Sequence, residues 1–203
     1  MRHASRLVLA VCLVFLLAAC ERDPTLPRLN PHDVIVAFGD SLTYGTGASA
    51  DSAYPAVLAA LTGRTVVNAG VPGDTTASAL ARLPAVLDEY KPRLVLLCLG
   101  GNDMLRKQPE SATENNLRLM VQTIRASGAE VVLIGVPAPK LFGGAPDFYA
   151  RVADAMKLPL EDEAFVEVLR DNRLKADPIH ANAAGYRVVA ERLAAFLREA
   201  GAL

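Results

Sequence analysis

Asp33-Val34-Ile35-Val36-Ala37-Phe38-Gly39-Asp40-Ser41-Leu42-Thr43 opens as an apolar, β-branched run and breaks off at Gly-Asp-Ser. Such a run closed by glycine reads as a strand buried on both faces, with its polar residues standing just past the carboxyl end. The same design recurs downstream at Thr65–Asn68, Arg93–Leu99 and Glu130–Gly135, with a weaker fifth candidate at Leu158–Leu160. Between these runs, apolar residues recur at three- and four-residue steps and predict helices over Ala53–Leu61, Thr76–Glu89, Glu110–Ser127, Asp147–Lys157 and Ala181–Ala200. Gly63 and Gly128 follow helix ends, where a left-handed residue is wanted. Strands alternating with helices specify the α/β class: a three-layer α/β/α sandwich around a central, mostly parallel five-stranded sheet. No internal repeat or low-complexity tract interrupts this order.

Composition narrows the function classes. The chain has 203 residues, 52% hydrophobic and 21% charged, with 21 Lys+Arg against 22 Asp+Glu. Disorder would require lower hydrophobicity and higher net charge, and a nucleic-acid partner a basic excess, so both are excluded. The length fits one domain with a sizeable core.

The first residues are set apart from that domain. Arg2 and Arg6 precede an unbroken apolar run of thirteen residues, Leu7 to Ala19. A membrane span needs about twenty, so residues 1–19 read as a secretory signal peptide. The run ends in Leu17-Ala18-Ala19-Cys20, which resembles the bacterial lipobox, whose Cys is lipidated and becomes the mature first residue. An ordinary secretory signal is the alternative. Removing residues 1–19 takes two Arg and no acid, leaving 19 basic and 22 acidic side chains, a net −3. Of the three Cys, Cys12 lies in the signal and Cys20 at the lipid site. Cys98 stands alone among Leu and Val and reads as a small core residue, so the mature domain has no disulfide framework. Residues 20–32, with Pro24, Pro27 and Pro31, read as the lipidated Cys and an extended tether, and residues 33–203 as the domain. The expected location is extracytoplasmic, with the chain held on a membrane through Cys20. Glu21 supplies no clear inner-membrane retention signal, which leaves an outer-membrane address open.

In a parallel sheet, chemistry belongs at the carboxyl ends of the strands. There stand Gly39-Asp40-Ser41-Leu42-Thr43, then Asn68 to Thr75, then Gly100-Gly101-Asn102-Asp103, while Asp177-Pro178-Ile179-His180 precedes the last helix. A serine hydroxyl is a weak nucleophile until a base within about 3 Å takes its proton. The sequence offers three histidines. His3 leaves with the signal and His32 lies in the tether, so elimination nominates His180. Its imidazole needs an orienting carboxylate, and Asp177, three residues earlier on a turn set by Pro178, can reach back to it. Taken alone, this motif reads rather as a helix-capping turn with a surface histidine.

Other patterns carry less. Gly45-Thr46-Gly47-Ala48-Ser49-Ala50 fits the loose G-x-G-x-x-A dinucleotide fingerprint, but it starts well past the strand end, and the second strand ends in Asn68 where an acid should bind ribose. The G-x-S-x-G elbow is absent, because Thr43 stands two residues after Ser41. Asp40 is expected to accept backbone hydrogen bonds in the turn, and Asp74 and Asp103 to shape loops or caps. Glu161-Asp162-Glu163 reads as a solvated face and no metal site is inferred. Tyr44, Tyr54 and Phe142 read as core or rim residues with an acyl-pocket role as the alternative.

Together, four blocks over roughly residues 33–200 resemble the SGNH hydrolases, the GDSL esterase/lipase superfamily, and within it the small thioesterase/lysophospholipase/arylesterase branch. They are Gly39-Asp40-Ser41-Leu42, Gly73 in Gly-Asp-Thr, Gly100-Gly101-Asn102-Asp103 and Asp177-x-x-His180, in the family's order. The resemblance implies a flavodoxin-like sheet and Ser41, Asp177 and His180 as catalytic residues. It implies an oxyanion hole of the Ser41 and Gly73 N–H groups and the Asn102 amide. It implies small acyl esters or thioesters as substrates, with no cofactor. A carbohydrate O-deacetylase of the same fold and a non-catalytic lipoprotein binding an acyl or glycan ligand are the alternatives. The stretch from Pro137 to Leu169 is expected to build much of the pocket wall, yet it carries no motif for chain length or leaving group.

Overall fold

The computed structural model describes residues 25–139 and 143–203. The signal peptide, Cys20 and Phe142 lie outside the described residues. Five strands form one sheet: β1 (Val34–Gly39), β2 (Thr65–Gly70), β3 (Leu94–Cys98), β4 (Glu130–Ile134) and β5 (Leu160–Glu161). Their order is β2-β1-β3-β4-β5, the flavodoxin-like order, and every pairing is parallel. Register aligns the strand ends: Gly39 sits opposite both Gly70 and Cys98, Cys98 opposite Ile134, and Ile134 opposite Glu161. The loops that follow the strands therefore open on one edge.

Eight helices are described: α1 (Ser41–Tyr44), α2 (Tyr54–Thr62), α3 (Thr76–Tyr90), α4 (Gly101–Leu105), α5 (Glu110–Ala126), α6 (Phe148–Met156), α7 (Ala164–Arg170) and α8 (Ala183–Glu199). Packing sorts the longer ones into two layers, with α8 against α2 and α7, and α5 against α3 and α6. Between the layers β3 is buried along its whole length, and Cys98 lies in that core as the sequence predicts. Burial holds its thiol well above the ordinary range, which keeps it an inert hydrophobe. The five long predicted helices all form; α1, α4 and α7 escape the sequence reading because one or two turns carry too little periodicity.

The sheet bears out the expected five-stranded, mostly parallel arrangement, with every pairing parallel. Two expectations need correction. The fifth strand falls at Leu160–Glu161, and Glu161 is buried, not part of a solvated face. Both its carboxylate oxygens accept the Ala164 N–H, which partly compensates the lost water, although burial still raises its pKa. Finally, the end of the supposed tether is docked. Leu26 and Leu29 are 7% and 4% exposed, and their N–H groups donate to Ala200 O at 2.8 Å and Ala202 O at 2.9 Å, just beyond α8. Two leucines spaced to enter an apolar groove gain more from burial than an extended polar linker would.

Gly39 is fixed by crowding. A Cβ there would collide with the Thr43 side chain and stand 2.5 Å from the Cys98 carbonyl oxygen. The Thr43 hydroxyl is itself held at 3.1 Å from the Tyr54 hydroxyl, and both residues are buried, so neither side can yield. Gly39→Ala should therefore cost about 1–3 kcal/mol, the range for overpacking. The check is a lower denaturant midpoint at unchanged slope; an unchanged midpoint would show the corner to be slack.

Candidate active site

Ser41 leaves β1 through a single residue, Asp40, and opens α1. Its Oγ lies 3.0 Å from Nε2 of His180, a contact between residues 139 positions apart. His180 Nδ1 is 2.7 Å from Asp177 Oδ2, while Oδ1 of the same carboxylate accepts the N–H groups of Ile179 and His180, each at 2.9 Å. Asp177 thus grips both the backbone of its own turn and the imidazole at its end. Partial burial pushes its pKa up, but the hydrogen bonds from the ring and from the turn outweigh this and hold the carboxyl below its usual range. An ionised carboxylate only accepts, so Nδ1 carries the ring proton and Nε2 presents its lone pair to the serine hydroxyl. The loop is locked by a bridge between Lys175 and Ala181, and by the Asn182 amide, which donates to Arg173 O at 2.8 Å and to Lys175 O at 3.2 Å.

Beside the serine stand the other two blocks. Gly73 follows β2 at φ 85°, a conformation that favours glycine, and its carbonyl accepts Nη2 of Arg106 at 2.8 Å. Among the described residues, neither the Gly73 N–H nor the Ser41 N–H has a partner, the latter because the first turn of a helix offers no acceptor. Asn102, at the start of α4, donates Nδ2 to Asp40 Oδ2 at 3.1 Å and to the Asp74 carbonyl at 2.9 Å. Both amide hydrogens are therefore already engaged.

Asp40 does what the sequence predicts and something more. Its Oδ1 accepts the Leu42 N–H at 3.0 Å, closing the turn, and its Oδ2 holds Asn102. At 2% exposure it makes no ion pair among the described residues, and burial lifts its pKa to about 6 against the hydrogen bonds of Leu42 and Asn102 and the nearby His180. Asp74 accepts Ser78 Oγ at 2.8 Å and Arg82 Nε at 2.7 Å; Asp103 accepts both the N–H and hydroxyl of Thr76, at 2.9 and 2.6 Å. These are the loop and cap roles expected of them. The partnership between Asp40 and Asn102 was not readable, since it joins loops 62 residues apart.

A cleft of about 700 Å³ adjoins these residues. Leu105, Val136, Pro139, Val166, Leu169 and Ile179 give it an apolar wall, drawn in part from the stretch between Pro137 and Leu169 expected to supply it. Tyr54 belongs to the core and Tyr44 to the surface; neither lines the cleft. No group of three or more His, Cys, Asp or Glu able to hold a metal occurs among the described residues.

Residues 37–188 match the model of the GDSL-like lipase/acylhydrolase family. The chain belongs to that family. It is 36% identical over 175 residues to thioesterase 1/protease 1/lysophospholipase L1 of Escherichia coli (strain K12), covering 82% of this chain and 84% of that protein. An arylesterase of Vibrio mimicus is 33% identical over 163 residues, 75% of this chain and 78% of its own. Among solved structures, TesA superposes with a TM-score of 0.73 at 33% identity, covering 83% of this chain and 99% of that one. This GDSL-like acylhydrolase is accordingly an ester-bond hydrolase, and its sheet is the one those structures share.

The buried carboxylate of this hydrolase carries a pH signature. Asp40 retains its proton up to about pH 6 in the fold, whereas the unfolded chain loses it near the ordinary 3.8. The stability it contributes is complete below pH 4 and is lost as pH rises through 6, about 3 kcal/mol for a shift of this size. Asp40→Asn cannot titrate. Between pH 4 and 7 the wild type should therefore lose about 3 kcal/mol relative to this variant in urea unfolding; parallel pH curves would place the raised pKa elsewhere.

Proposed function

We propose that the protein is a serine esterase that cleaves acyl esters and thioesters through an acyl-enzyme on Ser41. The observation that carries this reading is the continuous line from Ser41 Oγ to His180 Nε2 at 3.0 Å and from Nδ1 to Asp177 at 2.7 Å. As Oγ attacks the acyl carbon, its proton passes to Nε2, and Asp177 stabilises the imidazolium without taking the proton. The oxyanion is met by the unpartnered N–H groups of Ser41 and Gly73. Asn102 joins by sharing or giving up its 3.1 Å bond to Asp40. Collapse expels the alcohol or thiol, which takes the proton from Nε2. Water then attacks the acyl-enzyme, loses its proton to Nε2, and release of the acid restores the serine hydroxyl with that proton.

Ser41→Ala should abolish hydrolysis of short-chain aryl esters while leaving the unfolding midpoint unchanged, and a fluorophosphonate should label Ser41 of the native chain. Saturable acyl binding without labelling would make the cleft a non-catalytic receptor.

The relatives named thioesterase, lysophospholipase and arylesterase support esters of aliphatic acids as the substrate class, and so does the apolar wall of the cleft. An acetyl group would leave most of that wall uncovered. Each buried methylene is worth about 0.8 kcal/mol, so kcat/KM should rise up to about fourfold per carbon along a series of aryl esters from acetyl upward. A maximum at acetyl would favour an O-deacetylase instead.

We also propose that Cys20 is the lipidated first residue of the mature chain and holds the domain at the outer side of a bacterial membrane. The apolar run before Leu17-Ala18-Ala19-Cys20 supports this.

A further inference from the structure

Two rulers measure the distance from the catalytic edge to the point where the N-terminal segment is fixed. The first is β1, which starts just after the docked segment Leu26–Leu29, here the strap, at Val34, and ends one residue before Asp40; its six residues cover about 17–20 Å. The second is α8. It begins three residues past His180 and ends beside the strap, and its seventeen residues extend about 25 Å. Leu26 and Leu29 are bonded to Ala200 and Ala202 at the far end of α8. The chain therefore enters the domain at the pole opposite Ser41, and burial of both leucines fixes that entry.

Six peptide links separate Cys20 from Leu26. Fully extended, they reach at most about 22 Å. For the cleft mouth to meet the bilayer that holds Cys20, the domain would have to invert. Leu26 would then stand at least the length of α8, about 25 Å, above the surface, and the tether would also have to pass around the flank of the domain. The reach falls short.

We propose that the short link from Cys20 and the docked strap hold the cleft away from the bilayer that carries the chain, so that its esters arrive from the aqueous side or from a facing surface. This rests on the reading of Cys20 as the lipid anchor and of Ser41 as the nucleophile. It narrows the substrate class of the same site: acyl esters free in solution, carried by another macromolecule or presented by a second membrane are within reach, and those of the host leaflet are not.

The test uses the full lipidated chain, purified from membranes and reconstituted into phosphatidylethanolamine/phosphatidylglycerol vesicles. A long-chain fluorogenic aryl ester is placed either in the same vesicles or in protein-free acceptor vesicles, and a short-chain soluble ester reports intrinsic activity. Two variants lengthen the reach. One carries about forty Gly/Ser residues inserted between Asp23 and Pro24, with a root-mean-square span of roughly 35 Å. The other, Leu26→Asp with Leu29→Asp, releases the strap. The native chain should cleave the ester of its own bilayer at least fivefold more slowly than the insertion variant does, with equal rates on the soluble ester. The strap variant, if it retains soluble-ester activity, should gain own-bilayer cleavage as well. Equal own-bilayer rates for the native and insertion chains would overturn the orientation. Failure of the native chain to float with the vesicles would remove the anchor on which it rests. Inactivity on the soluble ester would instead defeat the hydrolase reading itself, a result distinguishable from the other two.

Discussion

A hydroxyl at residue 41 and an imidazole at residue 180 stay within 3.0 Å because α8 is tied to the corner that carries Ser41 at its start and to the entering chain at its end. The first tie is Tyr186, wholly buried in the opening turn of α8, whose hydroxyl donates to Thr46 O at 2.8 Å just past α1. The Asn182 side chain adds a second, accepting the Gly185 N–H at 3.0 Å while its amide closes the loop that carries Asp177 and His180. Rotating α8 by one residue would break these bonds together, and the imidazole would leave the serine. Catalytic geometry on a loop gains its precision from the rigid elements at the loop's ends.

The second half of the site depends on unequal treatment of two buried acids. Asp74 is met by Arg82, which also donates Nη2 to Gly39 O at 2.9 Å and lies 4.1 Å over the ring of Phe38. One guanidinium thus joins the ends of β1 and β2 and neutralises the nearby charge. Among the described residues Asp40 is met by N–H donors and no ion pair, and burial raises its pKa. The arrangement aims the Asn102 nitrogen at the serine's corner and ensures that the amide presents hydrogens there instead of its oxygen.

How much of this was legible follows from range. The strands were readable because β1, β3 and β4 are continuous apolar runs of the kind only a doubly covered sheet demands. His180 was readable by elimination, since no other histidine lies within the domain, and Asp177 by proximity, since three residues on a turn bring it to the ring. What failed was non-local or short. Glu161 ends a two-residue edge strand, too brief to show alternation, and its buried carboxylate is met by the Ala164 N–H that the next helix supplies. The hold of Asp40 on Asn102 depends on how β1 and β3 pair, and pairing order has no local code.

The N-terminal strap was misread for an instructive reason. Three prolines and few apolar residues describe an extended chain. Extension alone says nothing of attachment. Leu26 and Leu29 are the apolar side chains between Cys20 and the domain, and an isolated pair gives no periodic signal. Their meaning appears only when Ala200 and Ala202, at the other end of the chain, offer the carbonyls that the passing backbone needs. Once docked, the segment ceases to be a flexible spacer. The stretch of sequence between Cys20 and the point of attachment shortens from the twelve residues before Asp33 to the five before Leu26, and the orientation proposed above rests on that length.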